Sequence, residues 1–248
     1  MIESGQKHIV ALIDILGFKQ AMADETFSEK ILENFQQIKN YFSNKNYTET
    51  KSTISIFSDT IIISIHEKLL NNNFFPKDAI FEISYLIQKM ANLIINKGLL
   101  LRGAITFENF YHKDNVLFGS ALIDAHILES RVAKYPRILA SKKLIEFLSC
   151  SQHNEMENYF LKDDEDGLYY LDYLPSALAH CCQNGIYQRI IKKTILLLAN
   201  TPEKDVHSSK ILEKWRWFNN YYRKSVTKKP LFCPVFLDLI ISSKEYPR

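Results

Sequence analysis

Hydrophobic spacing switches between two periods along the first 149 residues. Residues 7–14, "KHIVALID", form an almost unbroken apolar run rich in Ile, Val and Leu, the pattern of a strand covered on both faces. Over residues 27–43 the period changes, and Ile31, Phe35, Ile38 and Phe42 recur at helical spacing. Residues 52–65, "STISIFSDTIIISI", are two β-rich runs meeting at Ser58-Asp59, which predicts a tight hairpin with Asp59 at its tip. Ile80, Ile83, Leu86, Ile87, Met90 and Ile94 predict a helix over 78–96, closed by Gly98. Strands are expected at 99–107 and 116–119, with a turn region at 109–115. A helix over 120–133, a strand over 137–141 and a short helix over 141–149 follow.

The order through residue 118 is β-α-β-β-α-β plus a further strand. That is the split βαβ, ferredoxin-like arrangement, so the expected fold is α/β in the α+β sense. Beyond it lie an acidic stretch at 161–167, "LKDDEDG", read as a solvated loop, and a strand at 169–173. Helices near 176–199 and 208–224 complete the chain. The expected organisation is a core over 1–150 and a mostly helical extension over 151–248 packed on it.

Composition narrows the class only modestly. The 248 residues include 46% hydrophobic and 24% charged positions, ordinary for a globular chain, and a net charge of +3 is too weak to indicate nucleic acid. Cys150, Cys181, Cys182 and Cys233 form no CxxC pair, so neither a disulfide framework nor a zinc site is suggested. The N-terminus is a poor signal peptide, and the longest apolar runs fall far short of a membrane span of roughly 18 residues. A cytoplasmic protein with no membrane partner is expected.

The chemistry gathers around "LIDILGFKQ", residues 12–20. Asp14 puts a carboxylate into an apolar strand, and a lone buried charge is costly unless paired. In a ferredoxin-like core the first strand neighbours the hairpin, so Asp14 and Asp59 reach one edge of the sheet. Two such acids repel unless a cation lies between them, and oxygen ligands of this kind suit magnesium or manganese. Gly17 would permit a close backbone approach whose N–H groups can hold phosphate oxygens. For each acid taken singly, a cap or turn role is the alternative.

These residues resemble a known family. "LIDILGF" is similar to the first metal motif of class III nucleotide cyclases, "IFSDTIIIS" to their second metal-aspartate hairpin, and "LLLRGAITF" to the strand that follows. "YHKDNVLFGSALIDAHILE" and "KYPRI" bring the resemblance closest to the pyrimidine cyclases of the bacterial Pycsar antiphage system, over roughly residues 8–141. The resemblance implies that Asp14, Asp59 and the Ile15 carbonyl bind two divalent ions, Mn2+ or Mg2+. Leu16, Gly17 and Phe18 would cradle the β- and γ-phosphates. The reaction would be attack of the ribose 3′-OH on the α-phosphate of UTP or CTP, giving cyclic UMP or CMP and pyrophosphate. It further implies a homodimer with active sites at its interface, and a downstream effector that reads the cyclic nucleotide during phage infection.

The chain also departs from the purine-cyclase pattern. The helix positions that carry Asn and Arg there are Ile123 and Ile127 here. Arg131, one turn beyond Ile127, can supply the missing cation from the opposite chain, or can be a surface residue paired to Glu129 or a neighbouring acid. Arg102 and Arg137 are further candidates. The purine-reading Lys and Asp are replaced by Ser55 and Val116, and Ser55 and Phe57 are assigned to the nucleotide, Phe57 as a stacking or pocket-narrowing ring. Phe57 as plain core remains the alternative. Glu108 stands where many cyclases have Gly, and His112 either touches phosphate or has no role. UTP is favoured over CTP, with no residue that decides it. A purine cyclase, a degenerate nucleotide-binding regulatory module and a polymerase-like palm domain are the other readings.

Overall fold

The computed structural model describes residues 6–23, 29, 33, 35, 36, 39, 52–66, 76–95, 97–113, 116–149, 159–174, 192, 195, 196 and 206–228. Nine strands run in the order β1 (Lys7–Leu16), β2 (Thr53–Phe57), β3 (Thr60–His66), β4 (Leu100–Asn109), β5 (Tyr111–Lys113), β6 (Val116–Phe118), β7 (Ile138–Ala140), β8 (Phe160–Lys162) and β9 (Tyr169–Leu171) among the described residues. The helices are α1 (Phe18–Ala21), α2 (Pro76–Ile95), α3 (Ser120–Ile127), α4 (Lys142–Ser149) and α5 (Val206–Lys228), with a π-helical turn at Leu128–Val132 directly after α3. Most of the expected helix over 27–43 and of that over 176–199 lies outside the described residues, as do all four cysteines. Residues 29, 33, 35, 36 and 39, and 192, 195 and 196, are helical.

The main sheet is ordered β2-β3-β1-β4-β7-β9-β8. Its first four strands are antiparallel neighbours, with β1 between β3 and β4. This is the expected ferredoxin-like arrangement. β7 joins β4 in parallel, and β9 and β8 continue the sheet beyond it. β6 is the short strand expected at 116–119, but it pairs in a separate two-stranded sheet with β5, which falls in the expected turn region, and β8 falls where no strand was expected. Three-residue strands are too short to show a period.

The unbroken apolar run of β1 is explained by its central place. Ile9, Ala11, Ile13 and Ile15 join Ile61, Ile63 and Ile65 of β3 and the Ile80–Ile94 stripe of α2 in the main core. Burying each such Ile stabilises the fold by about 1.5–3 kcal/mol relative to leaving it exposed. On the opposite face, Val10 and Leu12 of β1 and Ala104 of β4 meet Ala121 and Ala125 of α3. Alanines let α3 lie close on the sheet. β4 itself lies close to β1: a Cβ added at Gly103 would sit 2.2 Å from the Leu12 carbonyl oxygen.

α5 buries Trp215, Phe218, Tyr221 and Tyr222 in the main core. The Tyr221 hydroxyl donates to Asp172 at 2.9 Å and accepts the Tyr173 backbone N–H at 2.7 Å. Trp217 stacks on Tyr135 at 5.8 Å, between the π turn and β7. No helix among the described residues is long and apolar enough to cross a membrane.

Candidate active site

Four strands meet in one row at the site. Phe57 of β2 is opposite Thr60 of β3, Thr60 is opposite Asp14 of β1, and Asp14 is opposite Arg102 of β4. Cross-strand partners share a face, and this face is the one α3 covers further along. Ser58 and Asp59 form the two-residue connection between β2 and β3, with Ser58 at φ +55°, the left-handed region that tight hairpins use. The Asp59 backbone carbonyl accepts the Ile15 N–H at 3.0 Å, which ties the hairpin tip to the end of β1. Asp14 and Asp59 are therefore brought to the same corner of the sheet, as the sequence pattern predicts. Asp59 belongs to the turn itself, not to the strand face that carries Ser55 and Phe57.

The nearest partner of Asp14 is a guanidinium. Arg102 Nη2 donates to Asp14 Oδ2 at 3.2 Å, and the same nitrogen is ion-paired to Glu129. Burial is the main influence on Asp14 and raises its pKa; Arg102 counters it, and the Glu129 and Asp59 charges add to it, leaving the carboxyl pushed up to about 6. Lys214 of α5 also acts electrostatically on this corner. Its ammonium is lowered by burial and by Arg102 and raised by Asp14. Asp14 and Glu129 thus share Arg102, Lys214 acts on Asp14 from α5, and Asp59 adds a third negative charge at this corner.

Glu129 and Lys214 are functional candidates that sequence reasoning missed. Glu129 belongs to the π turn, whose wider winding turns it inward while Arg131, two residues on, is exposed. Arg131 makes no ion pair among the described residues, so its alternative role as a partner of Glu129 is replaced by the Arg102–Glu129 pair. The only sequence signal for Lys214 was its spacing beside Ile211, Trp215 and Phe218 on one amphipathic helix.

The remaining expected positions resolve as follows. Gly17 has φ +87° and ends β1, and Phe18 follows in the four-residue α1, with Leu16 and Phe18 half-buried. Phe57 is 81% exposed, so it is not a core aromatic. Ile123 and Ile127 are exposed on α3. Glu108 sits in regular strand and is ion-paired to Lys143 of α4 at 2.5 Å. Arg137 is buried and ion-paired to Asp163 at 2.8 Å and to Asp166. That removes it as a free site cation and corrects the solvated-loop reading of 161–167, because Asp163 is buried as the counter-charge of a buried arginine. His112 lies on β5, bonded to Ser55 and Ser64.

Among the described residues no group of three or more His, Cys, Asp or Glu is arranged to hold a metal ion. Magnesium and manganese nonetheless need only one or two protein carboxylates when substrate phosphates complete the shell. Asp14, Asp59 and the Ile15 carbonyl fit that hard-oxygen set, and the excess of acids at this corner favours added positive charge.

The Asp14 shift has a sign that can be tested in metal-free protein. Between its ordinary value near 4 and its folded value of about 6, the folded state holds the proton and the unfolded state does not. The group's contribution to stability is thus fully present below about pH 4 and is lost as pH rises through about 6. Asp14→Asn should flatten this component, read as the wild-type minus variant difference in denaturant midpoint between pH 4 and 7. A difference independent of pH would refute the shift.

No family model and no curated protein sequence matches the chain. Solved structures do. The adenylyl cyclase CyaB from P. aeruginosa is 15% identical, covering 67% of this chain and 94% of its own, with a TM-score of 0.47. The catalytic core of a rhodopsin-guanylyl cyclase with converted specificity, in complex with ATPαS, is 12% identical, covering 68% and 97%, with a TM-score of 0.42. A class III adenylyl cyclase-like ATP-binding protein from Pseudomonas aeruginosa is 12% identical, covering 70% and 40%, with a TM-score of 0.43. Likeness at this distance carries neither substrate nor mechanism to this chain.

Proposed function

We propose that this chain is a nucleotide cyclase acting on a pyrimidine triphosphate, UTP ahead of CTP. The observation that supports this best is the placement of Asp14 and Asp59 at one corner of a ferredoxin-like sheet, beside a glycine in left-handed conformation. In this reading Asp14, Asp59 and the Ile15 carbonyl hold Mn2+ or Mg2+, which when bound supplies Lewis acidity at the phosphates. The chain's own groups do the rest. Arg102 keeps Asp14 oriented between turnovers, Leu16, Gly17 and Phe18 face the β- and γ-phosphates, and Ser55 and Phe57 meet the nucleoside. With the triphosphate held in line, the ribose 3′-OH gives its proton to solvent, its oxygen bonds to the α-phosphorus and the bond to pyrophosphate breaks.

The absence of the purine-reading Lys and Asp supports a pyrimidine. Val116, Phe118, Ile123 and Ile127 leave apolar side chains exposed on β6 and α3, and Phe57 does so on β2, which favours a homodimer that covers them. In that assembly Arg131, exposed and unpaired within this chain's described residues, is the cation offered to the partner's site. A role as second-messenger synthase in antiphage defence rests on the sequence resemblance alone.

The exposed Ile123 and Ile127 also favour a second reading, a regulatory module that binds nucleotide without turning it over. Incubating the purified protein with each of the four NTPs and Mn2+ separates the readings. Cyclic product from UTP or CTP is expected. Product from ATP or GTP alone would overturn the pyrimidine assignment, and binding without product would favour the module.

A further inference from the structure

His112 is the bridging member of a polar chain on the site's own sheet face. One ring nitrogen, Nε2, lies 2.8 Å from the Ser55 hydroxyl, and the other, Nδ1, lies 2.8 Å from the Ser64 hydroxyl. Ser55 is opposite Ile62 and Ile62 opposite Leu12, one row along from the Phe57–Thr60–Asp14 row. Ser64 is opposite Val10, one row further still. The imidazole therefore closes the face on the side away from Asp14. Strand geometry puts Ser55 about 12 Å from Asp14, from two residues along the strand and two strand spacings across. That is the reach of a nucleoside from its α-phosphate to its base edge.

Resting on the nucleotide reading above, we infer that His112 is a specificity-determining residue: it fixes the Ser55 hydroxyl as the hydrogen-bonding contact for the base and limits the base to one ring. The chemistry follows from the two contacts. A neutral imidazole has one N–H and one bare nitrogen, so the chain carries a single direction. With Nε2 donating to Ser55, the Ser55 O–H is left to donate to the base. With Nε2 accepting, the Ser55 lone pairs are left to accept. Ser64 is buried and supplies the matching end in both cases. Burial lowers the His112 pKa, which keeps the ring neutral. A second base ring would need the space that the imidazole fills.

The test compares wild type with His112→Ala, His112→Phe, Ser55→Ala and the Ser55→Ala/His112→Ala pair. Turnover of UTP, CTP, ATP and GTP is measured with Mn2+, and α,β-methylene UTP and ATP serve as binding probes. His112→Ala should raise the UTP KM about tenfold with kcat within about threefold. It should also shift the ATP-to-UTP preference by at least about tenfold toward ATP. Ser55→Ala should lose UTP affinity to a similar degree, and the double variant little more than either single one. His112→Phe keeps the bulk, so it should lose UTP affinity yet still exclude ATP. Equal effects on all four nucleotides, additive single effects, or a preference within about twofold of wild type would overturn the inference, as would failure of wild type to bind either probe. If wild type binds the probes but makes no cyclic product, the cyclase reading falls, and the binding ratios alone decide for or against His112.

Discussion

Asp59→Ala is expected to lower nucleotide turnover by about a thousandfold while the melting temperature moves by no more than about 2 °C. The activity loss follows from the proposed ligand role, since metal stabilisation of phosphate charge is worth several kcal/mol and each 1.36 kcal/mol is a factor of ten in rate. The stability forecast follows from geometry. The contact that ties the hairpin to β1 is the Asp59 backbone carbonyl on the Ile15 N–H, and alanine keeps it. The side chain makes no ion pair among the described residues, and its charge adds to the strain on Asp14. Initial rates with UTP and CTP and a thermal melt of the same preparation check both halves. Unchanged turnover would remove Asp59 from the site, and with it the paired-acid assignment.

Arg137→Met should destabilise the fold by about 3–5 kcal/mol, read as a fall in melting temperature of ~10 °C. The arginine is buried, and its guanidinium meets Asp163 and Asp166. Asp163, itself buried, would be left as an uncompensated charge inside the protein, whereas Asp166 is open enough to rehydrate. Adding Asp163→Asn removes the stranded charge and should recover part of the loss, since the amide oxygen can still accept the Glu165 N–H that Asp163 Oδ1 accepts at 3.0 Å. A fall below about 2 °C in the single variant would show that the pair is worth no more than an exposed one.

The split βαβ order was readable because its strands and helices are long enough to show their periods. β1, β3, β4 and α2 each bury a continuous apolar stripe, and those stripes set the topology before any contact is known. The meeting of Asp14 and Asp59 was readable for the same reason: once β1 and the hairpin are neighbours, the ends coincide. What pairs with Asp14 was not. Arg102 lies opposite it in register, but a strand arginine carries no mark of which face partner it will find, and Glu129 is reached only because the helix winds wide after Ile127. The acidic loop misled because charge runs are ordinarily solvated, and nothing local announces that Arg137 is buried nearby. His112 was noticed but had no assignable partner, since Ser55 and Ser64 are 57 and 48 residues away in sequence.

The π turn at Leu128–Val132 has a consequence for comparing this chain with others. A turn of that kind closes i→i+5 hydrogen bonds and holds one residue more than an α turn. The advance of about 100° per residue of an α-helix does not apply within it. Regular α spacing holds from Ser120 to Ile127 and no longer fixes which face a residue occupies beyond it. Placing Arg131 by regular α spacing past Ile127 therefore misplaces it, and any comparison of this corner has to count the wide turn that presents Glu129 to Arg102.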